Sequence, residues 1–429
     1  MVSRRAWSRQ VAVIFRELTT SPRIINGRRW MSSCEIIGEN RKYAAAWGNG
    51  DHGRLGHGTL DSQWTPKFIS SPVLSDLSID TVSCGGAHTL LLTETGRVFS
   101  CGLNKYGQLG VSSDVSFSTE PLEVHGFDEE IVHISAGYHH SCAVSARGEI
   151  YMWGNNTSGQ LGLGKNTHKV CSSPTKLSSL SGVKIRRAAL GSEHTIVVSD
   201  NGETFSWGGG GSGQLGHGKE FKFSGIFRST SEYTPRLIKS LEGIKVTSVS
   251  AGLLHSACVD EKGFPFFFGQ IAGGNLVGPK NQNDDQSLSE LPNAKMIACG
   301  GYHTCVITRG GQLYTFGINE NGCLGVGFTS SIHVPERVEG PLQASLVEKV
   351  SCGWKHTAAI CGDNIFSWGW GGSHGTFSDD GMSSGGQLGL GNDFDYFYPT
   401  LVDFDKKVKA LEVSCGFNHT AAILQMQET

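Results

Sequence analysis

The sequence has no apolar run of 18 or more residues, which excludes a membrane-spanning helix. Its 12 cysteines include no Cys-x-x-Cys pair, so a zinc ribbon is not indicated. Proline is scarce, 12 of 429 residues, and no Gly-X-Y period occurs, so the 59 glycines signal neither collagen nor a disordered tract. Walker A and H-E-x-x-H motifs are missing, as is any persuasive pair of acids. Gly208 to Gly213 fits G-x-G-x-x-G but is part of a recurring phrase and opens no helix. Gly371-Gly372-Ser373-His374-Gly375 fits G-x-S-x-G without the strand and helix that a nucleophile elbow requires. Enzymatic chemistry therefore has no visible carrier, and no cofactor or metal is implied.

What the chain does contain is repetition. A phrase of the form Ser351-Cys352-Gly353-Trp354-Lys355-His356-Thr357 recurs at a near-fixed period, with its histidine at His88, His140, His194, His255, His303, His356 and His419. A second phrase follows each copy but the last. It runs aromatic-Gly, four residues, then Gly-Gln-Leu-Gly, as in Trp153-Gly154 with Gly159-Gln160-Leu161-Gly162 and Trp207-Gly208 with Gly213-Gln214-Leu215-Gly216. Weaker copies begin at Cys101-Gly102 and Phe316-Gly317, and Phe268-Gly269 leads a degenerate one. One more copy, Trp47-Gly48 with Gly53-Arg54-Leu55-Gly56, precedes every histidine phrase. The orphan halves at the two ends complete each other.

Short alternating runs flank each histidine, and glycine-bearing turns such as Thr95-Gly96, Arg147-Gly148 and Asn201-Gly202 follow. A proline-bearing segment, for example Glu120-Pro121-Leu122, ends each unit. Four short strands per period of about 50 residues predict a propeller blade. The expectation is an all-β, seven-bladed β-propeller over residues 41–424, closed by strands from both termini, with the run near Tyr43 to Trp47 completing the sheet begun by Leu411 to Leu424.

Seven histidines in equivalent positions read as structural, each bonding its imidazole to backbone between strands. A catalytic histidine is needed once or a few times, among dissimilar neighbours. Cys84, Cys299, Cys352 and Cys415 share one slot with Ala136, Leu190 and Ala251, which marks a small or apolar buried position and not a ligand.

Residues 1–34 stand apart. They hold seven arginines, no lysine and one acid, Glu17, with Trp7, Val11, Ile14, Phe15 and Leu18 at helical spacing. That pattern predicts a mitochondrial transit peptide over residues 1–34 and a matrix location. Loss of that segment shifts the formal net charge by six, from −3 to −9. An acidic domain of this kind is poorly suited to wholesale phosphate-backbone binding. A basic sector survives in residues 165–245, with 12 Lys/Arg against 6 Asp/Glu. From it Lys184, Arg186 and Arg187, together with the insert residues Lys219, Phe221, Lys222, Phe223, Phe227 and Arg228, form the candidate partner surface. A second long loop, between Gly369 and Gly386, is the other place where the rhythm breaks.

The paired phrases resemble the regulator of chromosome condensation repeat. That resemblance implies a seven-bladed propeller and three competing roles. One is nucleotide exchange on a small GTPase, whose exchange residues are not matched to positions in this chain. A second is UV-B photoreception, which uses clustered tryptophans in Gly-Trp-Arg-His-Thr copies. The corresponding positions here read Ala87, His139, Glu193, Leu254, Tyr302, Trp354 and Asn418 or Phe417, and only Gly353-Trp354-Lys355-His356-Thr357 comes close. The third is the organellar branch of the family, similar to plant mitochondrial members. It implies a non-enzymatic scaffold in mitochondrial RNA processing, supporting intron splicing of respiratory complex I transcripts through protein partners, with RNA contacted indirectly and no membrane insertion.

Residues 1–34 fused to a fluorescent protein are expected to direct it to mitochondria, with loss of roughly the first 30 residues. Diffuse, nuclear or exclusively plastid fluorescence would contradict the assignment.

Overall fold

Runs such as His88-Thr-Leu-Leu-Leu-Thr93 and His140-Ser-Cys-Ala-Val-Ser145 are buried along their whole length, as befits strands covered on both faces. In the computed structural model, which describes residues 41–111, 114–218, 231–271, 274–276, 291, 293–343, 345–372 and 385–427, they are the second strands of seven four-stranded antiparallel sheets. Blade 1 comprises Ile79–Cys84, His88–Thr93, Val98–Leu103 and Phe117–Val124. Blades 2 to 6 repeat the pattern, opening with Ile131–Ala136, Ile185–Leu190, Val246–Ala251, Ala294–Cys299 and Val347–Cys352. The first strands pack against one another around a central channel.

Blade 7 is built from both ends of the chain. Val408–Cys415 and His419–Met426 are joined by Lys42–Gly48 and Gln63–Phe68, with Trp47 opposite Thr420 and Gly48 opposite His419. The expected closure is thus the observed one. Six of the seven outer strands carry a proline, namely Pro66, Pro121, Pro174, Pro235, Pro335 and Pro399. Half of a scarce residue sits on edges, where proline withholds a ladder donor and discourages pairing with another chain.

A single blade has no core of its own. The buried apolar side chains form seven clusters, each between two adjacent blades. In the cluster between blades 2 and 3, for example, Cys142, Val144 and Met152 meet Ala188, Val197 and Trp207. Among the described residues no helix is long and apolar enough to cross a membrane, and every cysteine there is free.

The repeated histidines hold these interfaces in register. Each is fully buried, and its Nε2 bonds the hydroxyl one residue after the histidine of the next blade. The bonds run from His88 to Ser141 at 2.8 Å, His140 to Thr195 at 3.2 Å, His194 to Ser256 at 2.8 Å and His255 to Thr304 at 3.0 Å. They continue from His303 to Thr357 at 2.9 Å and His356 to Thr420 at 3.0 Å, and His419 returns to Thr89 at 3.0 Å. The ring is closed. The expected partner is backbone; the observed one is a side-chain hydroxyl across the blade interface.

The second phrase supplies the other half of the contact. Ser141 donates its hydroxyl to Gln108 O at 2.8 Å, and Trp153 Nε1 donates to the same carbonyl at 2.9 Å. Gln160 O receives Thr195 and Trp207, and Cys323 O receives Thr357 and Trp368, in the same way. In blade 1 the aromatic slot holds Cys101, whose Sγ lies 3.6 Å from Arg54 O and takes the place of the indole donor. A hydroxyl that gives its one proton to a carbonyl must accept from the imidazole, which fixes Nε2–H as the donor. The bare Nδ1 lies against the glycine of its own phrase. A Cβ on Gly85 would sit 2.6 Å from His88 Nδ1 and 2.3 Å from its Cε1, so that position requires glycine.

Burial holds all seven imidazoles neutral. It lowers the pKa from 6.5 to about 3 for His88, His140, His255 and His356, to about 4 for His194 and His303, and well below 6.5 for His419. Between those values the unfolded chain binds more protons, so stability is complete above pH 6.5 and falls as the pH drops. At about pH 5 each of the six sites whose pKa falls to about 3 or 4 costs roughly 2 kcal/mol, against a total stability of roughly 5–15 kcal/mol. Circular dichroism is therefore expected to show cooperative unfolding near pH 5 at equilibrium; a chain still folded at about pH 4 would refute this. Separately, His140→Ala and His356→Ala are each expected to cost about 1–3 kcal/mol in denaturant melts while partner binding by the folded fraction persists. Unchanged melting with lost binding would assign those histidines a functional role.

Candidate functional site

Antiparallel strands running up and down each blade give the propeller two faces. On one lie the Gly-x-x turns before each histidine and the loops after each third strand; on the other lie the hairpins after each second strand and the starts of the first strands. At the first face the channel narrows to a cavity of about 130 Å³, walled by the slot of Cys84, Ala136, Leu190, Ala251, Cys299, Cys352 and Cys415. The slot residues are small or apolar, as the composition predicts, and all but the half-buried Ala251 are buried; burial pushes the Cys299 and Cys415 thiols up to about 12. Thiols so strongly protonated are poor nucleophiles. Among the described residues no group of three His, Cys, Asp or Glu is placed to hold a metal ion.

The rim of this narrow mouth is knitted by backbone. Gly86 N donates to Gly137 O at 3.1 Å, Tyr138 N to Gly191 O at 3.1 Å, Gly301 N to Gly353 O at 3.0 Å and Phe417 N to Gly85 O at 3.1 Å. Each bond joins one blade to the next. Upon this rim stands an arc of aromatic rings. Trp354 stacks on Phe417 at 4.2 Å and 11°, Phe417 meets Tyr138 at 5.3 Å, and Tyr138 meets His139 at 4.2 Å. Trp370 packs edge-on against Trp354 at 5.7 Å, and Tyr106 lies 4.4 Å from His139. Burial, then Lys105, lowers the His139 pKa to about 4, so this imidazole too is neutral.

Glycine in the preceding blade makes room for two of these rings. A Cβ on Gly301 would meet Trp354 Cδ1 at 2.6 Å, and one on Gly86 would meet Tyr138 Cδ2 at 2.7 Å. Lys355 Nζ lies 4.9 Å from the Trp354 ring centroid and 3.3 Å from Glu320 Oε2, adding a cation at the edge of the apolar arc. Tyr138 is 36% exposed, and Trp354 and Phe417 are half-buried. Flat, rigid rings with a polar edge suit a protein partner better than they suit chemistry.

The register of this slot corrects the alignment to the photoreceptor pattern. In step with Trp354 stand Gly86, Tyr138, Ser192, Leu253, Gly301 and Phe417. Ala87, His139, Glu193, Leu254 and Tyr302 lie one residue further on. The aromatic arc was missed for that reason, since the correct offset places an aromatic in three of seven slots.

The proposed partner surface also needs correction. Lys184, Arg186 and Arg187 lie at the start of blade 3's first strand, on the face opposite the aromatic arc. Lys219, Phe221, Lys222, Phe223, Phe227 and Arg228 fall outside the described residues. Their loop leaves at Gly218 and returns at Ser231, between the third and fourth strands of blade 3, on the aromatic face. A strand of six residues, about 20 Å, separates those ends from the basic triplet. The described ends of that loop and the basic triplet thus lie on opposite faces. The Gly369–Gly386 loop likewise springs from the aromatic face, with residues 373–384 outside the description. Residues 1–34, the expected transit segment, also lie outside it.

Comparison with known proteins gives the geometry its relatives. The ultraviolet-B receptor UVR8 of Arabidopsis thaliana is 32% identical over 400 residues, covering 90% of this chain and 83% of the receptor. The probable E3 ubiquitin-protein ligase HERC6 of Homo sapiens is 35% identical over 286 residues, which cover 64% of this chain but only 26% of that protein. The crystal structure of Prp20p from Saccharomyces cerevisiae superposes with a TM-score of 0.75 at 22% identity, over 91% of this chain and 93% of Prp20p. Residues 43–422, nearly the whole propeller, match the family described as the RCC1-like domain. The chain is a member of the RCC1-like domain family.

Proposed function

We propose that this propeller is a non-enzymatic scaffold in mitochondrial RNA processing, docking protein partners on its aromatic face and supporting intron splicing of respiratory complex I transcripts. The observation that carries the reading is the arc of Trp354, Phe417 and Tyr138 over the narrow mouth. Its rings are preorganised by the rim hydrogen bonds, so a partner pays little ordering cost. The seven histidines and the buried thiols are committed to the blade interfaces, which leaves them unavailable as nucleophiles or bases. Support for the organelle comes from the arginine-rich, acid-poor segment 1–34, and for indirect RNA contact from the net charge of −9 without it.

Exchange activity on a small GTPase is the competing reading, and one preparation separates the two. Purified protein is expected to leave nucleotide release from organellar GTPases unchanged while capturing RNA-processing proteins and intron-containing transcripts from a mitochondrial extract. The double substitution Trp354→Ala with Phe417→Ala should weaken that capture about tenfold or more, as for interface aromatics in general. Charge reversal at Arg186 and Arg187, on the far face, should leave capture intact. Accelerated nucleotide release by the wild type would overturn the scaffold reading, and loss of capture only on charge reversal would move the docking surface to the other face.

A further inference from the structure

The wide end of the channel is shaped by one irregularity that every blade repeats. Each first strand shifts register near its start, between Ile79 and Thr81, Ile131 and His133, Ile185 and Arg187, and Val347 and Lys349 among others, and between Ala410 and Glu412 in blade 7. Such bulges re-aim side chains at the rims of barrels and channels. They enclose a cavity of about 780 Å³ whose wall includes Thr81, His133, Arg187, Lys349 and Glu412. That volume lies within the range of small-molecule sites.

The charges in this wall are unequally spoken for. Lys42 is taken by Asp80 at 2.7 Å and Glu94 at 3.0 Å. Arg186 donates to Thr247 O at 2.8 Å. His133 Nε2 lies 3.0 Å from Ala188 O, and burial lowers its pKa. Arg187 and Lys349 remain. Both are exposed to the cavity, and neither closes an ion pair or hydrogen bond among the described residues. The carboxyl they face is Glu412. Burial pushes its pKa up to about 7, opposed by Lys349, the Val82 backbone and Arg187 and assisted by Asp80. With Glu412 protonated, the carboxylate left in this wall is Asp80, which Lys42 already holds.

We propose that the wide end of the channel binds a small, multiply charged oxyanion of the phosphorylated-metabolite class, gripped by Arg187 and Lys349, with the Glu412 carboxyl in the same wall as the group that competes for them. The guanidinium offers a planar fork for two oxygens and the ammonium a mobile point charge. A cavity of this volume suits a compact ligand. The site lies on the face opposite the aromatic arc and does not depend on the scaffold reading.

Calorimetry on the full chain at constant ionic strength tests this with two probes, sulfate and inorganic triphosphate. Sulfate stays doubly charged from about pH 6 to about pH 8, so its own ionisation is constant over that range and the pH dependence of its binding tests Glu412. Sulfate is expected to bind more tightly at the lower pH, and triphosphate more tightly than sulfate at the higher. Lys349→Ala and Arg187→Gln should each weaken triphosphate about tenfold, the size of one charge-assisted contact. Glu412→Gln should abolish the pH dependence and give at about pH 8 the sulfate affinity that the wild type shows at about pH 6. Thermal melts of each variant verify folding, and Arg187→Lys, which preserves the charge, should bind more tightly than Arg187→Gln. Wild-type affinity equal to that of the Arg187→Gln, Lys349→Ala double variant would overturn the site. A pH dependence that survives in Glu412→Gln would overturn the role of Glu412.

Discussion

Everything in this fold depends on the bond from a buried imidazole to a hydroxyl of the next blade. A blade buries apolar side chains on both faces, so its stability resides in contacts with its neighbours and not within itself. Dispersion and hydrophobic burial are non-directional; they press blades together without setting their register. The chain Nε2–H to hydroxyl to carbonyl is directional, and each member has one way to be satisfied. Its geometry also explains why the two repeated phrases travel together. The histidine and its following Ser or Thr sit on the second strand, while the carbonyl that finishes the relay comes from the Gly-Gln-Leu-Gly turn of the blade before. The phrases are two halves of one interblade contact.

Most of this architecture was legible because repetition averages out local ambiguity. Seven copies of one pattern gave the number of blades, and the orphan phrases at Trp47 and His419 gave the closure. The neutrality of the Cys84 slot was likewise readable, since Ala136 and Leu190 occupy it elsewhere. What could not be read was anything requiring knowledge of which end of a strand a residue occupies. Lys184 and Lys219 are 35 positions apart in one basic stretch, yet the chain reverses direction between them and the loop carrying the second begins on the other face. The aromatic arc escaped for a similar reason. Trp354, Phe417 and Tyr138 are remote in sequence, and only the ring of blades brings them side by side.

The two ends of the channel differ in kind because the first strands differ along their length. At their ends the slot residues are small and the rim is tied by backbone bonds, which leaves a tight apolar neck under rigid rings. At their starts the bulges open the wall and admit long charged side chains. Serines next to the slot residues tie adjacent first strands together; Ser83 accepts from Ala136 N at 2.9 Å and Ser414 from Cys84 N at 3.0 Å. A regular scaffold thus carries two unlike surfaces without any change to its interblade cement.

The pairing of Lys42–Gly48 with His419–Met426 also has a consequence for how the molecule comes into being. Trp47 waits for Thr420, so a contact between nearly opposite ends of the sequence must form before the ring is sealed. While the chain emerges from a ribosome, blade 7 exists only as its amino-terminal pair of strands, and the edge of Lys42–Gly48 stands open until the last residues arrive. Closing so long a loop is slow and entropically costly, and it leaves a hydrogen-bonding edge exposed for the whole of synthesis. The misassembly to expect of such a chain is an exchange of the closing strands between two copies.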